Sequence, residues 1–305
     1  MQPRINYYNA ILKQQFGERI QKISINAGFT CPNRDGSKGF GGCTYCNNQT
    51  FYPDYCSPTK SVTQQIEEGI GFFHHKYETQ KYLAYFQAYT NTYGELDILK
   101  KNYEEALAFP QVSGLVIGTR PDCMSDELLD YFADLSKRYY VMIEYGIEST
   151  DNKTLTFINR HHDFETSVSA ILKTAERGIL VGAHLILGLP FESYDLMIEH
   201  AKKISKLPLT MLKLHQLQIV KGTRMAQQFA ENPEWFSLFS LDEYIDLAID
   251  FVTHLSPDIA IERFVSQSPK DLLLAPHWGL KNFEFTDKIN KRIQERDLFH
   301  GQFYE

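Results

Sequence analysis

Short apolar strands alternating with amphipathic helices, six times along the chain, predict an α/β fold. The form expected is a partial (β/α)6 TIM-like barrel with a mainly helical C-terminal extension. Strand candidates lie at 22–29 (KISINAGF), 81–89 (KYLAYFQAY), 113–119 (SGLVIGT), 139–147 (YYVMIEYGI), 180–189 (LVGAHLILGL) and 211–220 (MLKLHQLQIV). The stretches between them place apolar residues three and four apart, as at Ile98, Leu99, Tyr103 and Leu107. Strict alternation of strand and helix implies parallel βα units, and six units fall short of a closed eight-stranded barrel.

In chain order, the first strand runs directly into a cysteine-bearing loop, 31–46. Helices are expected over 61–77, 94–109, 125–138, 163–178 and 193–207. Ser125 and Asp163 stand at N-cap positions with acidic residues in the turn that follows. After about residue 225 the pattern changes to helices at 241–255 and 286–299 around one candidate strand, IAIERFV. The expected division is therefore a barrel over 1–225 and an extension over 226–305 packed against it.

The chain has 305 residues, 43% hydrophobic and 23% charged, ordinary values for a globular protein with a substantial core. No apolar run approaches the ~18 residues that cross a bilayer. The first residues lack the pattern of a secretion signal, so a cytoplasmic protein with no membrane partner is expected. In that reducing compartment cysteines bind metal or catalyse rather than form disulfides. A net charge of −7 gives no global attraction to nucleic acid. Two local basic stretches, 13–22 (KQQFGERIQK) and 288–296 (KINKRIQER), remain as candidate patches.

Cys31, Cys43 and Cys46 follow the spacing C-x11-C-x2-C, and the long gap is rich in glycine and basic residues. Three thiolates without a nearby histidine point to an iron–sulfur cluster with one iron left open. Cys56, ten residues beyond Cys46, could instead complete a four-sulfur zinc site. Gly39, Gly41 and Gly42 let the backbone wrap closely around a bulky ligand.

This loop resembles that of radical S-adenosylmethionine (SAM) enzymes. Their usual spacing is C-x3-C-x2-C; the first gap here is longer, but the ending Cys43-Thr44-Tyr45-Cys46 keeps the aromatic. The segments VIGTRPDC (116–123), EYGIESTDNKTLTFINRHHDFE (144–165), HLILGLPFES (184–193) and LKLHQLQIVKGTRM (212–225) are similar to the radical SAM domain of the Elongator catalytic subunit. They are more loosely similar to oxygen-independent coproporphyrinogen oxidase. Through to the final LFHGQ, the chain is similar to the YhcC-like group of radical SAM proteins. No acetyltransferase domain is read after the barrel, so that second Elongator activity is not carried over.

The resemblance implies a 4Fe–4S cluster on Cys31, Cys43 and Cys46, with SAM chelating the open iron. One electron then splits the sulfonium, and a 5′-deoxyadenosyl radical abstracts hydrogen from the substrate. It implies that Tyr45 packs beside the adenine, that Glu148 hydrogen-bonds SAM, and that Arg160 faces its carboxylate. Many members carry Gly-Gly-Glu on the second strand. Gln87-Ala88-Tyr89-Thr90-Asn91-Thr92 stands there instead, leaving the hydroxyl of Thr90 or Thr92 and backbone carbonyls for the SAM amino group. Arg120 is expected near ribose or substrate, with Asp122 as a helix cap, and Gly188-Leu189-Pro190 as a turn near adenine. His184 and His215, inside strands, reach substrate if the polar face is the barrel interior, or are ordinary core histidines. Cys123 is a candidate radical relay, or like Cys56 a plain free cysteine.

By this resemblance the substrate is a tRNA base, a wobble uridine side chain, and a reducing partner such as flavodoxin or ferredoxin supplies the electron. A small metabolite or tetrapyrrole is the alternative substrate. A non-catalytic metal-binding scaffold is the alternative class.

Overall fold

A computed structural model describes residues 3–50, 53–74 and 80–305. The chain opens with α1 (Tyr8–Phe16) and then alternates: β1 (Ile20–Ile25), α2 (Val62–His74), β2 (Lys81–Phe86), α3 (Leu96–Leu107), β3 (Val112–Thr119), α4 (Asp126–Ser136), β4 (Tyr140–Glu148). It continues through α5 (Asn152–Phe157), α6 (Phe164–Glu176), β5 (Leu180–Leu187), α7 (Tyr194–Ile204), β6 (Met211–Gln216) and β7 (Ile219–Val220). The remainder is α8 (Arg224–Glu231), α9 (Leu241–His254), β8 (Ala260–Arg263), β9 (Leu273–Ala275) and α10 (Asn282–Glu295). The helix expected over 61–77 is described as far as His74; residues 75–79 lie outside the described residues.

Seven parallel strands form one curled sheet in the order β1-β2-β3-β4-β5-β6-β8. This is the partial barrel that the alternation predicts, with one strand more than the six counted. β8 is only four residues long and ends in Glu262-Arg263. Its register against β6 shifts between Leu212 and Lys213, so its apolar signal is brief. It reaches the sheet after β7, α8 and α9 rather than after a single helix, which hides it from a count of βα units. β7 and β9 pair antiparallel as a separate ribbon.

The strands sort their side chains by alternation. Leu115, Ile117, Ile143, Tyr145, Leu185 and Leu212 face outward and pack beneath the helices in one continuous core. Ser125 and Asp163 cap α4 and α6 through Leu128 N and Thr166 N, as their positions predict. Facing inward near the strand N-termini, Leu83, Val116, Met142, Met211 and Ala260 close on Tyr8 and Leu12 of α1. The Tyr8 hydroxyl is hydrogen-bonded to that of Tyr140. An amphipathic helix thus plugs the barrel's lower end, and ligand access is left to the C-terminal end.

An open sheet exposes two edges, and an unpaired edge invites other chains. Here Ile261 N on β8 donates to Asn6 O at 2.8 Å, so the segment before α1 covers that edge. The Lys22 ammonium of β1 lies 2.7 Å from Glu262 of β8, joining the two edges across the opening. The C-terminal segment secures the same seam: His300 N donates to Arg4 O, and His300 Nδ1 accepts from Asn6 N at 3.3 Å.

His300 is 6% exposed, and burial lowers its pKa to about 4. A histidine whose folded pKa lies below its unfolded value binds fewer protons folded than unfolded in the interval between them. Stability therefore falls as pH drops from about 6.5 towards 4, by roughly 1.4 kcal/mol per pH unit from this group. His300→Gln should flatten the pH dependence of urea unfolding by about that slope over this interval; parallel curves for variant and wild type would refute the assignment.

Candidate functional site

The cysteine loop leaves β1 and is shaped by its own backbone. Arg34 N and Asp35 N donate to Cys31 O, Asp35 and Phe40 form an antiparallel bridge, and Gly42 N donates to Asn33 O at 2.8 Å. The eleven-residue gap is therefore a small hairpin folded back on itself. Gly42, at φ +78°, is required: a Cβ there would stand 2.9 Å from Arg34 Nε. Arg34 in turn donates to Cys46 O at 3.0 Å. The hairpin is also tied to the loops after β3 and β4. Asn33 Nδ2 donates to Asn159 O at 2.6 Å, Asn159 Nδ2 to Gly42 O at 2.8 Å, and Lys38 Nζ lies 2.6 Å from Asp122.

Cys31, Cys43 and Cys46 line one cavity at the C-terminal end of the strands, with an empty volume of about 1220 Å³ counted to its open mouth. Among the described residues no three Cys, His, Asp or Glu side chains converge tightly enough to hold a single metal ion. The three thiols share the cavity closely enough that, beyond burial, Cys43 and Cys31 help push the Cys46 thiol up to about 11, and such a set fits a multinuclear cluster in which each iron takes one protein sulfur. The four-sulfur zinc alternative is not formed. The Cys56 thiol donates to Ser24 O at 2.8 Å, and burial pushes its pKa up to about 12.

Arg160 is the cation nearest the sulfurs. It is 6% exposed, with Nη1 3.4 Å from Cys43 Sγ, Nη2 donating to Gly146 O at 2.5 Å, and Glu148 at 3.6 Å. Gly146 is needed for this approach, because a Cβ there would meet Glu148 Oε1 and Arg160 Nη2 within 2.8 Å. Arg120 supports Arg160 from behind. Its Nη2 donates to Arg160 O at 2.8 Å while Nε pairs with Asp122. Asp122 is thus an ion-pair hub between Arg120 and Lys38, which hold its carboxyl well below the usual range against the effect of burial. The helix cap expected of it falls to Ser125.

The other candidates divide. Tyr45, Glu148, Arg120 and Thr90 line the cavity, and Thr90 Oγ1, Arg120 Nη1 and Arg160 Nε are buried without partners. Buried polar atoms are nearly always satisfied, so these orphans mark places where a polar ligand group fits. Thr92 Oγ1 instead bonds Thr119 Oγ1 and Cys123 O, and does not line the cavity. Cys123 also lies off the lining, 3.7 Å from Asp122 Oδ1, with its thiol pushed up to about 12 by burial and by that carboxylate.

Below the sulfurs the barrel interior is charged. Glu144 on β4 is fully buried. One carboxylate oxygen accepts from Lys22 Nζ at 2.7 Å; the other accepts from Lys213 Nζ (2.7 Å), Tyr85 OH (2.8 Å) and His184 Nε2 (2.8 Å). Burial alone would raise the Glu144 pKa, but Lys213, Lys22 and His184 together hold it well below the carboxylate range. Glu262 adds contacts to Lys22 at 2.7 Å and Lys213 at 3.5 Å. His184 and His215 face each other with ring centroids 5.5 Å apart, and Arg263 Nη2 lies 3.4 Å from His215 Nε2. Burial and the neighbouring cations lower both histidine pKa values, which keeps the rings neutral near pH 7. His184 and His215 are therefore interior residues at the cavity floor.

Sequence reasoning passes over Lys22, Glu144, Lys213, Glu262 and Arg263. The available signal is a single charge at an inward position of an otherwise apolar strand, as in VMIEYGI and MLKLHQ. The two basic stretches also change meaning. Lys22 ends the first one inside the barrel, and in the second Arg292 and Arg296 pair with Asp242, Asp246 and Asp250 of α9.

Residues 27–204 match the family model described as Radical SAM superfamily, and 209–295 match the Radical_SAM C-terminal domain. YtqA of Bacillus subtilis (strain 168) is 35% identical over 301 residues, covering 99% of this chain and 92% of that protein. YhcC of Escherichia coli (strain K12) is 33% identical over 299 residues, covering 98% and 95%. A tRNA uridine(34) acetyltransferase of Methanocaldococcus infernus is 22% identical over 207 residues, 65% of this chain and 37% of that one. Among solved structures, archaeal Methanocaldococcus infernus Elp3 superposes with a TM-score of 0.69 at 16% identity, covering 92% of this chain and 64% of that chain.

Removing one partner from a buried ion pair strands the other charge, at a cost of about 3–5 kcal/mol. Glu144→Gln should therefore lower the unfolding free energy by that order, read from urea denaturation, whereas a loss under 1 kcal/mol would show that the floor network is not charged as described.

Proposed function

The chain belongs to the radical SAM superfamily, whose members bind a 4Fe–4S cluster and SAM, and on that premise we propose that it modifies a tRNA uridine, the wobble base, inside the barrel cavity. Cys31, Cys43 and Cys46 would hold the cluster, which supplies one-electron reductive cleavage of the SAM sulfonium. The observation that supports the radical SAM reading is the donor set itself: three thiols on one cavity with unpartnered polar atoms around them.

The chain's own residues have separable tasks. Arg160 sets a fixed positive charge beside Cys43 and keeps Nε unpartnered, suited to the SAM carboxylate. Thr90 Oγ1 offers an unfilled acceptor for an ammonium. Tyr45 supplies an aromatic wall, and Glu148, held by Arg160, an acceptor for hydroxyl or amine. Arg120 is a positioning residue acting through the Arg160 carbonyl. His184, its Nε2 taken up by Glu144, leaves Nδ1 as an acceptor for the N–H edge of a uracil. Electron supply from a flavodoxin or ferredoxin, in the cytoplasm, completes this reading. Among the described residues no helix is long and apolar enough to cross a membrane.

The tRNA assignment is supported by the relative whose name specifies uridine(34). A small-metabolite substrate is favoured by a different observation: the arginines of the 288–296 stretch are paired to α9, which removes charge from a nucleic-acid surface.

Anaerobic reconstitution of the full chain should give a brown protein with 4Fe–4S absorbance that cleaves SAM on reduction. Cys43→Ala should lose both properties, and a variant that keeps them would overturn the cluster assignment. For the substrate, the modified nucleosides of tRNA from cells with and without the gene are compared by mass spectrometry. The deletion should alter a wobble uridine; an unchanged profile removes the tRNA reading and leaves the small-molecule one.

A further inference from the structure

The charges at the barrel floor do not balance. Lys22, Lys213 and Arg263 bring three cations to two carboxylates, Glu144 and Glu262. Both carboxylates are taken up by the two lysines. Among the described residues Arg263 forms no ion pair. Its Nε is buried without a hydrogen-bond partner, and its one polar contact is the long 3.4 Å approach of Nη2 to neutral His215. Arg263 lines the cavity, so donors that no residue takes up lie beside the space a substrate would occupy. Arg263 is half-buried, and an unpaired charge partly withdrawn from water is stabilised by a ligand anion or water that takes up its donors.

We propose that Arg263, with His215 beside it, forms an anion subsite at the cavity floor, and that the substrate carries a carboxylate or phosphate that docks there. This deepens the proposed function, and rests on it only in taking the cavity to be the substrate site. A guanidinium is the fitting group, because its planar fork meets two oxygens of either anion at once. The surrounding network makes it selective. Glu144 and Glu262 stay paired to lysines and repel a second carboxylate less than free ones would. His184, His215 and Tyr85 add neutral polar walls, so an anion seated on Arg263 brings the floor to charge balance. A neutral group in the same place would leave the guanidinium unpaired.

The test uses reconstituted full-length protein at constant ionic strength, with acetate and inorganic phosphate as probes replacing chloride. The thermal midpoint is followed as each anion is titrated. Wild type should show a saturable rise with at least one probe, and Arg263→Gln should need tenfold or more of that anion. Arg263→Lys, which keeps the charge but not the fork, should fall between them and serves if the glutamine variant does not fold. A response to acetate alone assigns a carboxylate, and a response to phosphate alone assigns a phosphate. Identical titrations in wild type and both variants, or no saturable response in wild type, overturn the subsite. Iron content and absorbance of the same wild-type sample report the cluster separately, so failure of the anion site and failure of the radical SAM assignment are told apart.

Discussion

One carboxylate organises this barrel. Glu144 gathers Lys22 from β1, Tyr85 from β2, His184 from β5 and Lys213 from β6, and Glu262 extends the same network to β8. Strands at opposite ends of the sheet thereby meet at its centre, and the sheet must curl for them to do so. A buried ion costs much to desolvate, and only complete satisfaction of its oxygens makes such a centre tolerable. That requirement fixes the register of five strands against one point. An apolar interior could fill the same volume without specifying which atoms meet.

The interior is layered along the barrel axis by the same alternation. At the lower end apolar side chains close on Tyr8 and Leu12 of α1; Glu144 and its partners lie above them. Above these lie the loops that follow the strands, where Cys31, Cys43, Cys46 and Arg160 meet. Each layer meets a different physical need: exclusion of water, fixed polarity, and access from outside. The segment 216–220 and the residues after β8 complete the wall, with Gln216 and Ser266 exchanging hydrogen bonds at 3.0 and 2.8 Å. Both segments lie in the region matched by the C-terminal family model, so the cavity is built jointly by the two matched regions.

Much of this was legible in the sequence, because strand and helix periods are local. The alternation, the capping residues Ser125 and Asp163, and the placement of the cysteine loop after β1 depend on neighbours within a few residues. β8 was only a candidate, since four residues ending in Glu262-Arg263 carry little apolar signal. The floor network was hidden for another reason. His184 and His215 stood out as polar residues in strands, but Glu144, the partner of His184, lies 40 residues away and Arg263, the neighbour of His215, lies 48 away, and nothing local announces either pairing. Likewise Lys38 and Asp122 are 84 positions apart, so the hairpin's anchorage could not be read from its own composition.

The hairpin between Cys31 and Cys43 ties the sulfur loop to distant parts of the chain. Its shape is secured by contacts that use no sulfur: Asn159 to Gly42, Lys38 to Asp122, Thr44 N to Ile158 O at 3.0 Å, and Met225 N to Thr44 O at 2.8 Å. Fixing a residue's backbone costs about 1–2 kcal/mol of conformational entropy. Here that cost falls on contacts with the loop after β4 and with α8, so the spacing of the three sulfurs is a property of the whole barrel. A substitution at Asn159 or Ile158, more than a hundred positions away, would reach the cysteine loop through the backbone and not through any sulfur.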